Sequence, residues 1–509
     1  MLTLPSDRPT NRMATIANEQ QGALKASLEN EYGEGHVFQY ASNGLEMYNL
    51  CDQLSGIDMK RQRELYEKVI AGSAEGASRF DGANLEPCND VNRLLDTPAE
   101  TRALWSNNFF EAVSNGKVAL LVLAGGAGTR LGFDGPKGKY SVKSPSNSSL
   151  FRFHCDRIRK LERLALQKHG KAVRIQVYVM TSPQNNDETV SFFNDNAYFG
   201  LSPEHVRFFA QGTLPCFSND GGKLMLDRPD HVAVAADGNG GLYPAMYNNG
   251  VLDDLAAKGI DYVHTICIDN LLVRALDPEF IGCVITEGAD VGSLTVSKRS
   301  AQEGLGMLVK LNGKFAIAEY SDVSDDMKNE KDADGRLRFE QGNICIHAFA
   351  TKFLIEKVVP EYVKKIDPDN YHIARKKIPV WDAATGQTAK PEANNGIKLE
   401  MFIFDVFQFA ESMAILQVPR EEQFSPVKNN ELTKKSDSAF SARTMLSDLH
   451  KTWLAAAGAT VAGDGLVEIS PLVSYNGEGL ESLNGKTLQT PCYVQPQHKD
   501  GPVSYFVDV

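Results

Sequence analysis

Metal-binding cysteine spacing is missing from this chain. Its eight cysteines, Cys51, Cys88, Cys155, Cys216, Cys267, Cys283, Cys345 and Cys492, form no C-x-x-C pair and meet no histidine at zinc spacing. They read as buried or free thiols of a reducing compartment. Long apolar runs are missing too: no stretch suffices to cross a bilayer, and the first twenty residues lack the apolar core of a signal peptide. Cytoplasmic residence is the expectation. Positive charge is short, with 53 Lys and Arg against 65 Asp and Glu and a formal net charge of -12. That balance excludes a general nucleic-acid or membrane-surface binder, although a local cluster of cations still suits a small anion. Sustained heptads, internal repeats and low-complexity tracts are absent as well. What remains is ordinary globular material, 42% hydrophobic and 23% charged over 509 residues, enough for about three domains and a large core.

The chain is organised around residues 120–139, LLVLAGGAGTRLGFDGPKGK. An aliphatic run ending at Leu123 and Ala124 passes into Gly125, Gly126 and Gly128, as a buried parallel strand does when it delivers its end into a phosphate-cradling loop. Glycine lets main-chain N–H groups close on phosphate oxygens. Arg130 and Lys137 add two cations that suit a ligand with several phosphate charges. Two commoner loops are excluded: Leu131 stands where the dinucleotide fingerprint needs its third glycine, and no Gly-Lys-Ser/Thr follows at Walker spacing.

In chain order, apolar spacing predicts helices over 19–31, 44–55 and 58–71, within a helical stretch from about residue 14 to 95 that follows a dozen polar residues expected to be disordered. Thr97-Pro98 starts another helix. Beyond the glycine loop, helices over 150–169, 186–198 and 245–258 alternate with strands over 173–180, 206–210 and 262–268, which predicts a mostly parallel sheet covered on both faces. Gln211 follows a strand end, placed to hydrogen-bond a uracil or ribose, or to make a plain turn. Ala236-Asp237-Gly238-Asn239-Gly240-Gly241 packs three glycines into five residues, a sign of close backbone approach. Asp269, at the tip of strand 262–268, suits Mg²⁺, with a helix cap as the alternative. Its neighbour Asn270 is followed by Leu271, so the D-x-D pair of metal-dependent glycosyltransferases is missing. Asn312-Gly313 predicts a two-residue hairpin turn. Glu319 and Asn343, in strand-like runs, are candidates for sugar hydroxyls or for buried structural bonds. Asp405 is a weaker candidate for a cap or second metal ligand. Residues 421–441 read as a polar loop carrying Lys428, Lys434 and Lys435, followed by a helix over 444–457 and short strands. The expected division is a helical region 1–115, a catalytic domain 116–410 and a C-terminal domain 411–509.

LAGGAGTRLG with PKGK, AADGNGGLY, ICIDNLLV, GNICIHAF, FDVFQFA, EEQFSPVKN and EISPLVSYNGEGLE together resemble the eukaryotic UDP-N-acetylglucosamine pyrophosphorylases. The likeness runs from about residue 120 to 483. It departs at Ala127, at Ala235-Ala236 and over the last twenty-odd residues. It implies a Rossmann-like α/β nucleotidyltransferase (GT-A-like) fold with a helical N-terminal region and a small C-terminal β-containing domain. The implied reaction joins UTP and N-acetylglucosamine 1-phosphate, with Mg²⁺, into UDP-N-acetylglucosamine and pyrophosphate, in a monomer or homodimer. By motif position it implies nucleotide contacts from Leu123, Ala124, Gly125, Gly126, Lys137, Gln211 and Gly238, and sugar contacts from Asn239, Gly306, Glu319 and Asn343. Arg130 would hold the departing phosphates, Lys137 the α-phosphate, Lys428 the sugar phosphate and Asp269 the metal. Pyrophosphorylases of N-acetylgalactosamine or glucose, a UDP-sugar-using glycosyltransferase and an inactive UDP-sugar-binding regulator are the alternatives.

Overall fold

Six consecutive buried residues, Val118–Leu123, form the middle of the main sheet. The run has no polar alternation, so both faces must be covered. In the computed structural model, which describes residues 9–74, 80, 84–320, 323–365, 367–432, 436–496 and 503–507, the chain divides into two units. One comprises residues 78–211, 242–365 and 404–509; the other comprises 1–77, 212–241 and 366–403.

The larger unit holds an eleven-stranded sheet. Its main path runs Asn92–Arg93, Met413–Gln417, Val291–Ser297, Gln341–Ala350, Tyr262–Cys267, Val118–Leu123, Gln176–Thr181, Val206–Ala210. Five of the seven neighbouring pairs on that path are parallel, whereas Gln341–Ala350 runs against both of its neighbours. The mixed, mostly parallel α/β sheet expected from the alternation is therefore present. Helix Leu150–His169 starts where the Ser149 hydroxyl accepts the Arg152 N–H at 3.2 Å and stops at left-handed Gly170. Helices Ala99–Ser114 and Pro278–Glu287 approach so closely that a Cβ at Gly282 would collide with the Trp105 carbonyl. Phe109, Phe151, Phe153 and Phe280 fill the core with the strand side chains, each buried ring contributing ~1.5–3 kcal/mol.

Several segments differ from expectation for identifiable reasons. Leu85–Pro87 and Asn92–Arg93 are strands, not helix, because Leu85–Pro87 pairs with Met307–Leu311 and Asn92–Arg93 joins the sheet edge. The helix over 245–258 is two, Leu242–Asn248 and Val251–Ala257. Between them the Asn249 and Gly250 carbonyls accept the Arg207 guanidinium. The hairpin Met307–Leu311 to Lys314–Ala318 turns at Asn312-Gly313 with φ of 50° and 81°, as expected. Helix Ala439–Ala456 begins earlier than its apolar spacing suggests, since Ser438 and Ser441 cap it reciprocally.

In the smaller unit, helices Pro9–Asn30, Gly44–Ser55 and Met59–Ala74 pack on the antiparallel strands Phe217–Ser218, Gly396–Glu400 and His372–Lys376. Residues 9–12 open the first helix, in place of the disordered start expected; the first eight lie outside the described residues. Glu34 is fully buried. Its carboxylate pairs with Arg63 and accepts the Leu224 N–H at 3.1 Å, tying the helices to a strand segment nearly two hundred residues away.

Removing one partner of a buried pair strands the other, at a cost of ~3–5 kcal/mol. Glu34→Ala should therefore lower the urea midpoint by a corresponding amount with an unchanged denaturant slope. A midpoint equal to that of the unaltered chain would show that the pair contributes nothing net.

Candidate active site

The loop after Val118–Leu123 is held by its neighbours before any ligand arrives. Ala124 donates its N–H to the Met180 carbonyl at 2.8 Å, and Lys137 donates its N–H to the Gly126 carbonyl at 3.1 Å. Asn185, buried at the end of the adjacent strand, donates through Nδ2 to the Ala124 carbonyl at 3.0 Å and accepts the Ser182 N–H at 2.8 Å. Sequence reading missed Asn185. Its only signal is a polar turn, Ser182-Pro183-Gln184-Asn185, after a buried strand. A Cβ at Gly125 would stand 3.2 Å from the Gln211 carboxamide, whereas one at Gly126 would meet nothing within 4 Å. Gln211, itself buried, therefore lies directly against the glycine loop, and Gly126 faces open space. Gly138 answers to packing, because a Cβ there would enter the Phe151 ring.

Strand Tyr262–Cys267 runs parallel to Val118–Leu123 with Cys267 opposite Leu123. Asp269 consequently emerges beside the glycine loop. Its carboxylate lies 3.1 Å from the Lys137 ammonium, with both side chains only 17% exposed. Asn270 is a latch: it donates to the Gln423 carbonyl at 2.8 Å and accepts the Ser425 N–H at 2.9 Å, while the Val427 N–H donates to the Asp269 carbonyl at 2.9 Å. Lys428 thus leaves an anchored segment rather than a free loop. Its exposed charge reaches Cys267, two residues before Asp269. Lys434 and Lys435 lie outside the described residues. Arg130 is exposed in the turn Thr129–Leu131 and makes no ion pair among the described residues.

A divalent ion fits Asp269 in one specific sense. Among the described residues no group of three His, Cys, Asp or Glu side chains is arranged to hold a metal. A hard cation such as Mg²⁺ would have to take most of its oxygens from substrate phosphates and water, which is its usual habit. Asp405 is buried and accepts the Tyr362 hydroxyl at 3.4 Å.

Gly306, Glu319 and Asn343 come together at the strand ends. Asn343 donates its N–H to the Gly306 carbonyl at 2.8 Å, and a Cβ at Gly306 would stand 3.1 Å from Glu319 Oε1 and 2.6 Å from the Ile317 side chain. Asn343 Oδ1 also accepts the Cys345 N–H at 3.0 Å. Cys345 sits on a bulge of Gln341–Ala350 with φ of 56°, and its thiol hydrogen-bonds that of Cys267. The shared bond pushes Cys267 up and draws Cys345 down from ordinary thiol values.

Gly238 and Asn239 belong to the smaller unit. Asn239 Oδ1 accepts the Ile403 N–H at 3.0 Å. Gly238 has φ of 91°, and a Cβ there would run into the Met401 carbonyl. The Asp237 carbonyl accepts the Met401 N–H at 2.7 Å, and its carboxyl is buried with Oδ1 unpartnered among the described residues. The glycine density of AADGNGG is thus used at least partly inside the unit, to admit this carboxyl and the chain at 401–402. Burial pushes Asp237 up to about 7.

The family described as UTP--glucose-1-phosphate uridylyltransferase matches residues 81–459. The chain is 42% identical to a human UDP-N-acetylhexosamine pyrophosphorylase-like protein 1 over 80% of this chain and 82% of that one. It is 36% identical to the UDP-N-acetylglucosamine pyrophosphorylase of Saccharomyces cerevisiae over 86% and 92%. The crystal structure of a uridine diphosphate N-acetylglucosamine pyrophosphorylase from Trypanosoma brucei, in complex with an inhibitor, is similar at a TM-score of 0.76 and 31% identity. That likeness covers 91% of this chain and 94% of that one.

Because Asp237 is raised in the folded state, the fold binds a proton that the unfolded chain has released between the unfolded carboxylate range and about 7. Stability should therefore fall as pH rises through that window. Asp237→Asn removes the titration. Its melting temperature should gain on the unaltered protein at pH values above the folded pKa and converge with it only as pH falls to the unfolded carboxylate range. An offset independent of pH would mean that Asp237 is ionised in both states.

Proposed function

This chain belongs to the UTP--glucose-1-phosphate uridylyltransferase family, and from that premise we propose how its site works. The protein is a nucleotidyltransferase that makes UDP-N-acetylglucosamine and pyrophosphate from UTP and N-acetylglucosamine 1-phosphate. The observation that carries the reading is the Lys137–Asp269 contact at 3.1 Å beside the glycine loop. A cation and a carboxylate together at the ends of parallel strands serve a reaction among phosphates.

A phosphate oxygen of the sugar phosphate attacks the α-phosphorus of UTP in line. The new P–O bond forms as the α–β anhydride breaks, and pyrophosphate leaves with the displaced electron pair. No covalent nucleophile is needed, so the chain contributes position and charge. In our assignment Leu123, Ala124, Gly125 and Gly126 carry the nucleotide, with Gln211 on the uridine. Lys137 turns from Asp269 to the α-phosphate as the substrate binds. Arg130, exposed and unpaired among the described residues, receives the leaving pyrophosphate, and Lys428 steadies the incoming sugar phosphate. Gly306, Glu319 and Asn343 form the sugar contact. Enzymes of this family generally use a divalent metal ion. We assign Mg²⁺ to Asp269, where it would supply neutralisation of phosphate charge. Pyrophosphate release from UTP with N-acetylglucosamine, N-acetylgalactosamine and glucose 1-phosphates side by side tests the reading, which fails if none is turned over.

If Lys137 neutralises charge in the transition state, Lys137→Ala should lower kcat ~100-fold, the order seen on removing one preorganised donor. Turnover near that of the unaltered enzyme would remove Lys137 from the mechanism. For Asp269, substitution to Asn keeps size and removes charge. Activity titrated against Mg²⁺ should then require more metal while the melting curve moves little; an unchanged requirement with a lower melting temperature would leave Asp269 a scaffold residue.

A further inference from the structure

Eight cysteines are reduced in this structure, six of them buried. The two half-buried ones, Cys267 and Cys345, are in contact with each other. They meet because of the sheet. Tyr262–Cys267 and Gln341–Ala350 pair antiparallel as far as Thr265 opposite His347, and the two chains running on from that pair bring Cys267 and Cys345 together. The bulge contributes the rest. Cys345 takes a left-handed φ of 56°, which is costly for a residue with a side chain, and its thiol hydrogen-bonds the Cys267 thiol. The Cys267 S–H also lies 3.9 Å from the Cys345 carbonyl. Neither thiol enters the transfer mechanism, yet Cys267 precedes Asp269 by two residues and the Cys345 N–H is held by Asn343.

We propose that Cys267 and Cys345 are a modification site for two-electron oxidants of the peroxide class, and that closing them into a disulfide switches the enzyme off. The chemistry balances. The Cys345 sulfur attacks one peroxide oxygen, the S–O bond forms as the O–O bond breaks, and the released hydroxide takes the thiol proton as water. The Cys267 sulfur then attacks the sulfenic sulfur, the S–S bond forms as the S–O bond breaks, and a second water leaves with the remaining proton. Peroxide is reduced and the two thiols are oxidised. A disulfide must replace a thiol–thiol hydrogen bond by a much shorter covalent distance, so the strand tip bearing Asp269 and the bulge bearing Asn343 are drawn together. A displacement of that kind at a reacting centre costs ~100-fold in rate.

The loss-of-activity half of this inference rests on the transferase reading above; the cross-link does not. Hydrogen peroxide is the probe, applied to the full-length enzyme, with pyrophosphate release and peptide mass mapping read on the same samples. Oxidised enzyme should yield a peptide pair joined through Cys267 and Cys345, lose turnover ~100-fold and regain it with dithiothreitol. Cys267→Ser and Cys345→Ser should each keep the turnover of reduced enzyme and resist peroxide. Saturating UTP with Mg²⁺ should slow cross-linking by covering the site. The proposal is overturned if the two cysteines stay unlinked, if the linked enzyme keeps full turnover, or if both serine variants are inactivated as fast as the unaltered enzyme. Reduced enzyme without pyrophosphate release, but with the cross-link formed, would instead overturn the transferase reading and leave the dithiol standing.

Discussion

Parallel register between two buried strands is the constraint on which the site depends. With Leu123 opposite Cys267, both strands end at the same edge of the sheet. The glycine loop that continues one and the carboxylate that ends the other are then neighbours by geometry. A slip of one residue would turn every side chain of a strand to its other face. Both strands are buried in their central residues, so they resist that slip through packing against large side chains such as Phe151 and Phe280. The Lys137–Asp269 contact inherits its distance from this packing.

Around that contact, backbone groups are satisfied by two asparagines that carry no charge. Asn185 secures the start of the glycine loop, and Asn270 latches residues 423–425 beside Asp269. Both are buried, where an unmade hydrogen bond costs ~1–3 kcal/mol, so each confers rigidity at the site's edge. The cations Arg130 and Lys428 stay exposed. On the proposed reading, a rigid frame with exposed cations suits an entering polyphosphate: the loop amides would not have to reorganise, and the long side chains would turn to the ligand.

Two buried carboxyls illustrate opposite solutions to the same cost. Glu34 is paired with Arg63 and accepts a main-chain N–H. Among the described residues Asp237 has no such partner for Oδ1, and burial raises it to about 7 instead. Burying an ionised carboxylate alone is so unfavourable that one of these outcomes must follow. The first joins distant parts of the smaller unit, whereas the second makes the loop carrying Gly238 and Asn239 sensitive to pH.

Local chemistry made much of this legible in the sequence. The unbroken aliphatic run Val118–Leu123 announced a buried parallel strand, Gly170 marked the end of helix Leu150–His169, and Asn312-Gly313 marked its hairpin, because strand burial, caps and two-residue turns depend on residues adjacent in the chain. The glycine loop and Asp269 were legible as strand-end features for the same reason. Only the tertiary structure decided that Lys137 meets Asp269, that Asn185 and Asn270 are the clamps, and that Asn343, Gly306 and Glu319 converge. It alone also brought Cys267 to Cys345 and turned the glycines after Asp237 toward Met401. Each of those contacts joins residues far apart in the chain, set by strand order and register, which no local pattern encodes.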